Sequence, residues 1–268
     1  MRQVPTPIPE NPVRIAVLQA TSVVGHVDAN LDTLAAAASD AADGGADILV
    51  TPELFPTGYA PARIHHLDGA SVRQSVSKLA ESYGIAVVAS TVEQSGSGRF
   101  ITATLFGSDG TQVLHYRKSH LFGPEEAQFF AAGTELSPVV RFGDLTVALG
   151  ICYDVEFPEY VRAVAVAGAD LVLVPTAVPT RVSSVFDSAA VPSLLVPARA
   201  LENTVAIAYA NQCGTGFAGR SCIVAPDGSR AAQAGDEAKL IFADITSEAI
   251  RAARADNPYL RSRRLDLY

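Results

Sequence analysis

Three side chains with chemical potential stand next to strand-like runs in this sequence. Glu53 follows the apolar segment 47–51 in Thr51-Pro52-Glu53-Leu54-Phe55-Pro56-Thr57-Gly58-Tyr59. Lys118 ends the segment 111–117 in His115-Tyr116-Arg117-Lys118-Ser119-His120-Leu121-Phe122-Gly123, and Cys152 follows 145–151 in Gly150-Ile151-Cys152-Tyr153-Asp154. A thiol becomes a strong nucleophile once it loses its proton, which an adjacent carboxylate can accept. A lysine can stabilise a developing oxyanion and, through its charge, the thiolate. Carboxylate, ammonium and thiol thus form a set for acyl transfer through sulfur that requires neither histidine nor metal. Taken singly, each residue has an ordinary reading: a small buried hydrophobe for Cys152, a solvated loop acid for Glu53, an edge-strand gatekeeper for Lys118. The chain has only three lysines against seventeen arginines, so a lysine at 118 calls for a reason, and a compact ammonium beside a nucleophile supplies one.

The elements that must position these residues show in an internal repeat. Gly45-Ala46-Asp47-Ile48-Leu49-Val50-Thr51-Pro52 returns as Gly168-Ala169-Asp170-Leu171-Val172-Leu173-Val174-Pro175. Upstream, 13–18 corresponds to 145–151; downstream, 84–89 corresponds to 204–209. Ser108-Asp109-Gly110 and Pro226-Asp227-Gly228 each divide two alternating segments, the Asp-Gly signal of a hairpin. Each half reads strand, helix, strand, helix, strand, hairpin, with helices near 28–43, 70–83, 156–168, 187–203 and 246–255. Nearly continuous Val/Ile/Leu/Ala strands with intervening helices predict helix-covered sheets. Two such halves can bury their free sheet faces against each other in a four-layer α-β-β-α sandwich with an internal pseudo-two-fold repeat. Two separate doubly wound domains are the second choice, because no Gly/Ser/Pro-rich linker lies between 137 and 146. The repeat also predicts that the strands before Glu53 and Cys152 are central in their sheets, with ends converging on one cleft.

Composition narrows the partners. A chain of 268 residues, 49% apolar and 18% charged, supports a large core, and a net charge of −8 disfavours nucleic acid and anionic membrane surfaces. No run approaches the ~18 apolar residues of a membrane span. Residues 1–12, with four prolines and no apolar h-region, read as an extended arm, so a cytoplasmic location is expected. Cys152, Cys213 and Cys222 fit reduced thiols. The histidines lack a zinc spacing and Gly214-Thr215-Gly216 lacks a phosphate-loop continuation, so no metal or cofactor is expected.

The segments around Glu53, Lys118 and Cys152 (the last continuing through Val155-Glu156-Phe157-Pro158-Glu159) resemble the three signatures of the nitrilase superfamily of carbon–nitrogen hydrolases, in the family's order. The resemblance runs from about 13 to 245 and includes Arg199-Ala200-Leu201-Glu202-Asn203 and Gly219-Arg220-Ser221-Cys222-Ile223-Val224-Ala225-Pro226-Asp227-Gly228. It implies a Glu53, Lys118, Cys152 triad within one domain over 13–255 and a homodimer or larger homo-oligomer, with the tail 256–268 at the interface. It also implies a second cleft glutamate. Glu125 and Glu126 are the candidates, and the spacing from Phe129-Phe130-Ala131-Ala132-Gly133 favours Glu126. The Tyr153 N–H is implied as an oxyanion donor beside Lys118, and Tyr59, Thr176, Ala177, Val178, Pro179 and Phe186 are expected around the substrate. Cys-Tyr-Asp resembles the amidase-like branches, while Glu156 stands where acid-selective omega-amidases carry Arg. Small neutral aliphatic amides are therefore the expected substrates, hydrolysed through a cysteine thioester. N-carbamoyl hydrolase, omega-amidase and nitrilase are alternatives, as is a non-catalytic scaffold. Glu156 has two readings: a pocket acid that repels anions, or the first residue of helix 156–168, favoured there by the helix dipole.

Overall fold

The computed structural model describes residues 11–267. In the first half, strand β1 (Val13–Gln19) leads to helix α1 (Val27–Asp43), β2 (Ile48–Val50), α2 (Pro61–Ile64), α3 (Gly69–Tyr83), β3 (Ala86–Ser95), β4 (Gly98–Phe106), β5 (Gln112–Arg117) and α4 (Gly123–Phe129). The second half runs β6 (Val140–Phe142), β7 (Leu145–Leu149), α5 (Pro158–Val166), β8 (Leu171–Thr176), α6 (Val196–Asn203), β9 (Ala206–Asn211), β10 (Cys222–Val224), β11 (Arg230–Gln233), β12 (Lys239–Ile245) and α7 (Ser247–Asp256). A 3-10 turn, Cys152–Glu156, precedes α5, and a π turn, Val191–Leu195, leads into α6.

The strands form two six-stranded mixed sheets ordered β12-β1-β2-β3-β4-β5 and β11-β10-β9-β8-β7-β6. Helices α1 and α3 bury Leu34, Ala38, Val76 and Ala80 against the outer face of the first sheet, and α5 and α6 cover the second. The inner faces pack on each other through Ile15, Val17, Val50, Val88, Leu149, Leu173 and Ala208, all at or near zero exposure. This is the expected four-layer sandwich. Strand β12 crosses back to flank β1, with Val13 opposite Ile245 and Gln19 opposite Lys239, tying the second half to the first sheet. Among the described residues no helix is long and apolar enough to cross a membrane.

The sequence repeat corresponds to repeated bonding. Asp47 accepts from the Arg14 N–H at 2.7 Å and Asp170 from the Thr146 N–H at 3.0 Å, so each locks its parallel strand pair in the same way. Asp109 and Asp227 accept from the N–H two residues on, at 3.0 and 2.9 Å, and the next residues, Gly110 and Gly228, take positive φ in the two hairpins.

Several expectations are corrected. The strand before Cys152 is not central: β7 has only β6 outside it, whereas β2 is third in its sheet. Convergence arises instead from face-to-face packing, which brings the Glu53 N–H to the Thr176 carbonyl at 3.1 Å across the sheets. The helix expected over 156–168 spans Pro158–Val166; Pro158, at its first position, and the preceding 3-10 turn fix its start and leave Glu156 outside. The helix expected over 187–203 begins with the π turn at Val191. The expected N-terminal arm falls mainly on residues 1–10, outside the described residues.

The Glu53 loop is pinned at Gly58, whose φ is +74° and where an added Cβ would meet the Val24 Cα at 2.6 Å. Asn30 holds the same loop by donating to the Pro56 carbonyl at 3.1 Å. A left-handed non-glycine costs about 1–2 kcal/mol before any clash. Gly58→Ala is expected to lower Tm by roughly 2–8 °C in a domain of this size, read by circular dichroism; an unchanged Tm would show slack in the turn.

Candidate active site

Glu53, Lys118, Glu126 and Cys152 meet between the sheets. Lys118, directly after β5, is fully buried, so the edge-gatekeeper reading fails. Its Nζ donates to Glu53 Oε1 at 2.7 Å and to Glu126 Oε1 and Oε2 at 2.8 and 2.9 Å. Glu126 is buried on α4, where it also accepts from Tyr59 OH and from the Phe122 N–H, both at 2.7 Å. Neighbouring Glu125 is exposed and accepts from the Ala62 N–H at 3.2 Å, so the structure brings Glu126 and not Glu125 to the lysine.

Two buried carboxylates share one ammonium. Burial raises the Glu53 pKa to about 7; the Lys118 charge pulls it down and the Glu126 charge pushes it up. Burial opposes the Lys118 charge, but both carboxylates outweigh it and keep the ammonium charged. Glu53 Oε2 is buried with no hydrogen-bond partner among the described residues, although the Cys152 thiol is close enough to favour the ionised carboxylate. Burial, then the Glu53 charge, lifts the thiol well above its ordinary pKa, against Lys118 and the Ala177 N–H. The resting pair is therefore a neutral thiol beside a proton acceptor.

The sulfur is held on a constrained turn. Cys152 has φ +46°, a left-handed conformation unusual for a side-chain-bearing residue. Asp154, buried two residues on, braces it: Oδ2 accepts from the Ile151 N–H at 3.0 Å and Tyr116 OH at 2.9 Å, and Oδ1 faces the His120 N–H and Nδ1 at 3.0 and 2.8 Å. One carboxylate thus joins the turn carrying Cys152 to both sides of Lys118. The Cys-Tyr-Asp triplet contained this residue, but no spacing rule pointed to a partner some thirty residues upstream. The Tyr153 N–H lies in the first turn of the 3-10 segment, where backbone donors lack helical acceptors.

A cavity of about 210 Å³ opens on the sulfur, lined by Phe122, Cys152, Tyr153, Glu156, Val178, Pro179, Val182, Phe186 and Val191. Tyr153, Val178, Pro179 and Phe186 were expected there. Phe122, Val182 and Val191 were not identified from sequence. Tyr59 instead donates to Glu126; Thr176, the last residue of β8, and Ala177 after it are buried and are not among the cavity-lining residues. Glu156 faces the cavity, which removes the helix-start reading.

The carbon–nitrogen hydrolase family profile matches residues 14–255. The chain belongs to that family. Within it, an amidase structure from Nesterenkonia sp. superposes with a TM-score of 0.87 at 38% identity, covering 97% of this chain and 96% of that one. Other structures of the Nesterenkonia amidase show an alanine variant in complex with butyramide and covalent addition of the acetamide moiety of fluoroacetamide at its active-site cysteine. A Pseudomonas protegens protein called hydrolase in pqqF 5' region is 38% identical, over 96% of this chain and 90% of its own length. An omega-amidase from Xenopus tropicalis is 34% identical, over 89% and 91%. The chain is a carbon–nitrogen hydrolase of the nitrilase superfamily.

The Asp154 bridge yields a specific expectation. Asp154→Asn keeps the side-chain shape but turns an amide NH2 toward N–H donors, leaving buried donors opposed. The variant should fold with a Tm a few degrees lower and lose more than ten-fold in kcat, measured by steady-state kinetics alongside thermal unfolding. Near-wild-type turnover would show that Asp154 does not position the sulfur.

Proposed function

We propose that this enzyme hydrolyses small neutral aliphatic amides to carboxylic acid and ammonia through a thioester on Cys152. The observation that carries the reading is the buried Lys118 ammonium bridging Glu53 and Glu126 beside a thiol that opens on a small cavity. Glu53 takes the thiol proton as the sulfur attacks the amide carbon, and the oxyanion is held by Lys118 Nζ and the Tyr153 N–H. Glu53 then passes the proton to the amide nitrogen, the C–N bond breaks and ammonia leaves. Water, deprotonated by Glu53, attacks the thioester, and the thiol regains its proton as the acid departs. Glu126 fixes the position of Lys118 and keeps the two carboxylates competing for it. Every proton and charge in this sequence is handled by the chain's own groups, so the reading invokes no metal or cofactor.

Neutral substrates are favoured over anionic ones because Glu156 is the only formally charged side chain among the cavity-lining residues besides the reactive sulfur's own thiolate form. An omega-carboxylate would meet a like charge in a partly desolvated space. The omega-amidase names among the relatives support the competing reading, in which the acyl chain carries a carboxylate. The two are separated with butyramide and succinamate. Butyramide is expected to show the higher kcat/KM, and intact-mass spectrometry should find an acyl adduct on wild type and none on Cys152→Ala. A preference for succinamate would establish the omega-amidase reading.

We further propose residues 13–255 as one catalytic unit that assembles at least as a homodimer, with the tail 256–268 at the interface. Tyr259, Leu265 and Leu267 are exposed there, as an apolar tail docking on a second subunit requires.

The general-base role of Glu53 sets the pH dependence. The reacting form needs Glu53 ionised, and burial places its pKa at about 7, so kcat/KM for butyramide is expected to fall on the acid side, approaching ten-fold per pH unit below that value. A profile flat down to pH 5 would exclude Glu53 as the group that takes the thiol proton.

A further inference from the structure

The cavity on the sulfur combines apolar and aromatic walls, from Phe122, Tyr153, Val178, Val182, Phe186 and Val191, with a single carboxylate, Glu156. No hydrogen bond among the described residues is made by that carboxylate. The nearby cations act on it through charge alone and make their hydrogen bonds elsewhere. Lys118 Nζ is taken up by Glu53 and Glu126. Arg199 Nη1 donates to Glu202 at 3.0 Å, and its Nη2 donates to the backbone carbonyl of Glu156 at 3.0 Å and not to the carboxylate. A half-buried acid with no hydrogen-bonded counter-ion among the described residues, on the wall of a cavity that opens on a nucleophile, lacks the partner that such a group ordinarily has.

From this geometry we infer that Glu156 is a specificity residue for amides whose acyl chain carries a primary ammonium, which it binds as a charge-assisted partner within the aromatic walls. The inference rests on the amidase reading above, keeps its discrimination against anionic acyl chains, and departs from its neutral ones by placing an ammonium at the far end. Glu53, Lys118 and Glu126 do not line the cavity, so the space on this side of Cys152 is where the acyl chain extends. Glu156 closes the 3-10 turn that Cys152 begins, and four residues at ~2 Å of rise place their backbones about 8 Å apart. A thioester carbon, two or three further carbons and one N–H···O contact of about 2.8 Å span a comparable distance. Phe122, Tyr153 and Phe186 add ring faces that suit a cation.

The charge on Glu156 decides the interaction. Burial raises its pKa to about 7, against the pull of Lys118 and Arg199. Among the other titratable groups around it, Cys152 lines the same cavity and the buried Tyr209 hydroxyl feels the Glu156 charge. Both stay neutral near pH 7 because burial raises their pKa values well above normal. Ammonium recognition should therefore strengthen as pH rises from 6 to 8.

The test compares kcat/KM for 3-aminopropanamide and butyramide, which match in length and differ in an ammonium against a methyl. Wild type is expected to prefer 3-aminopropanamide by ten-fold or more at pH 8, with the ratio shrinking toward pH 6. Glu156→Gln should bring the ratio to one or below and abolish its pH dependence. A wild-type ratio at or below one at pH 8, or a preference that survives in Glu156→Gln, overturns the inference while butyramide turnover keeps the amidase reading. Absence of ammonia release from either amide by wild type would overturn the amidase reading itself. The wild-type pH series needs no variant, so the inference stays falsifiable if Glu156→Gln does not fold.

Discussion

One ammonium between two carboxylates, in a region closed to water, is the interaction on which the rest of this structure depends. An unpaired charge buried as deeply as Lys118 would cost several kcal/mol, and two buried acids without it would cost more. The three groups are tolerable only together, and the cluster with both acids ionised carries one negative charge too many. Burial first, and then that surplus, raises the pKa of Glu53 against the pull of Lys118. Pairing and frustration therefore meet in one cluster: Lys118 keeps Glu53 anchored through Oε1, while burial and the second carboxylate keep it basic enough to take a proton at Oε2.

Such a cluster needs rigid surroundings, since small displacements would admit water and relax the charges. The two sheets supply them. Glu53 sits where β2 leaves the first sheet and is tied to β8 of the second through the Thr176 carbonyl, while Gln212 Nε2 donates to the Glu53 carbonyl at 3.0 Å. Lys118 enters from the edge strand β5, and Asp154 bonds that entry to the turn bearing Cys152. The left-handed backbone of Cys152 is a strained conformation that persists because the Asp154 bonds, the Tyr160 hydroxyl on the Leu149 carbonyl at 2.6 Å and the packed strands over-determine it.

The legible and illegible parts of this protein divide along a physical line. Glu53, Lys118 and Cys152 could be singled out because chemistry restricts residue type, and the sandwich because Val/Ile/Leu strands and two Gly-Ala-Asp segments repeat at fixed positions. What periodicity could not supply were tertiary events. Asp154 acquires its importance from donors at 116 and 120, which only the packing of β5 against β7 brings near. The helix after Cys152 looked as though it began at Glu156, because a 3-10 turn and an α-helix share acidic starts and apolar spacing; Pro158 was the better boundary marker. The centrality assigned to β7 failed because in the repeat β7 corresponds to β1, second in its sheet, and not to β2, so it too lies one strand from an edge. Phe122, Val182 and Val191 reach the cavity from loops or irregular turns, where no period constrains direction.

The placement of Glu156 shows how the fold separates chemistry from selectivity. The reacting carboxylates lie on the dry side of the sulfur, where their electrostatics are set by Lys118 and barely reached by solvent. Glu156 lies on the open side, at the end of the same short turn, so its side chain can change without disturbing a hydrogen bond of the buried cluster. Its backbone is fixed more firmly than its carboxylate: Arg199 grips the carbonyl and Pro158 starts α5 two residues later. A position with a rigid main chain and an unbonded side chain, one turn from the nucleophile, lets a superfamily scaffold alter the charge its substrates meet while conserving the geometry that cleaves them. Selectivity can then vary by single substitutions at the cavity wall, because Glu156 shares no hydrogen bond with Glu53, Lys118 or Glu126 and feels that cluster only through the charge of Lys118.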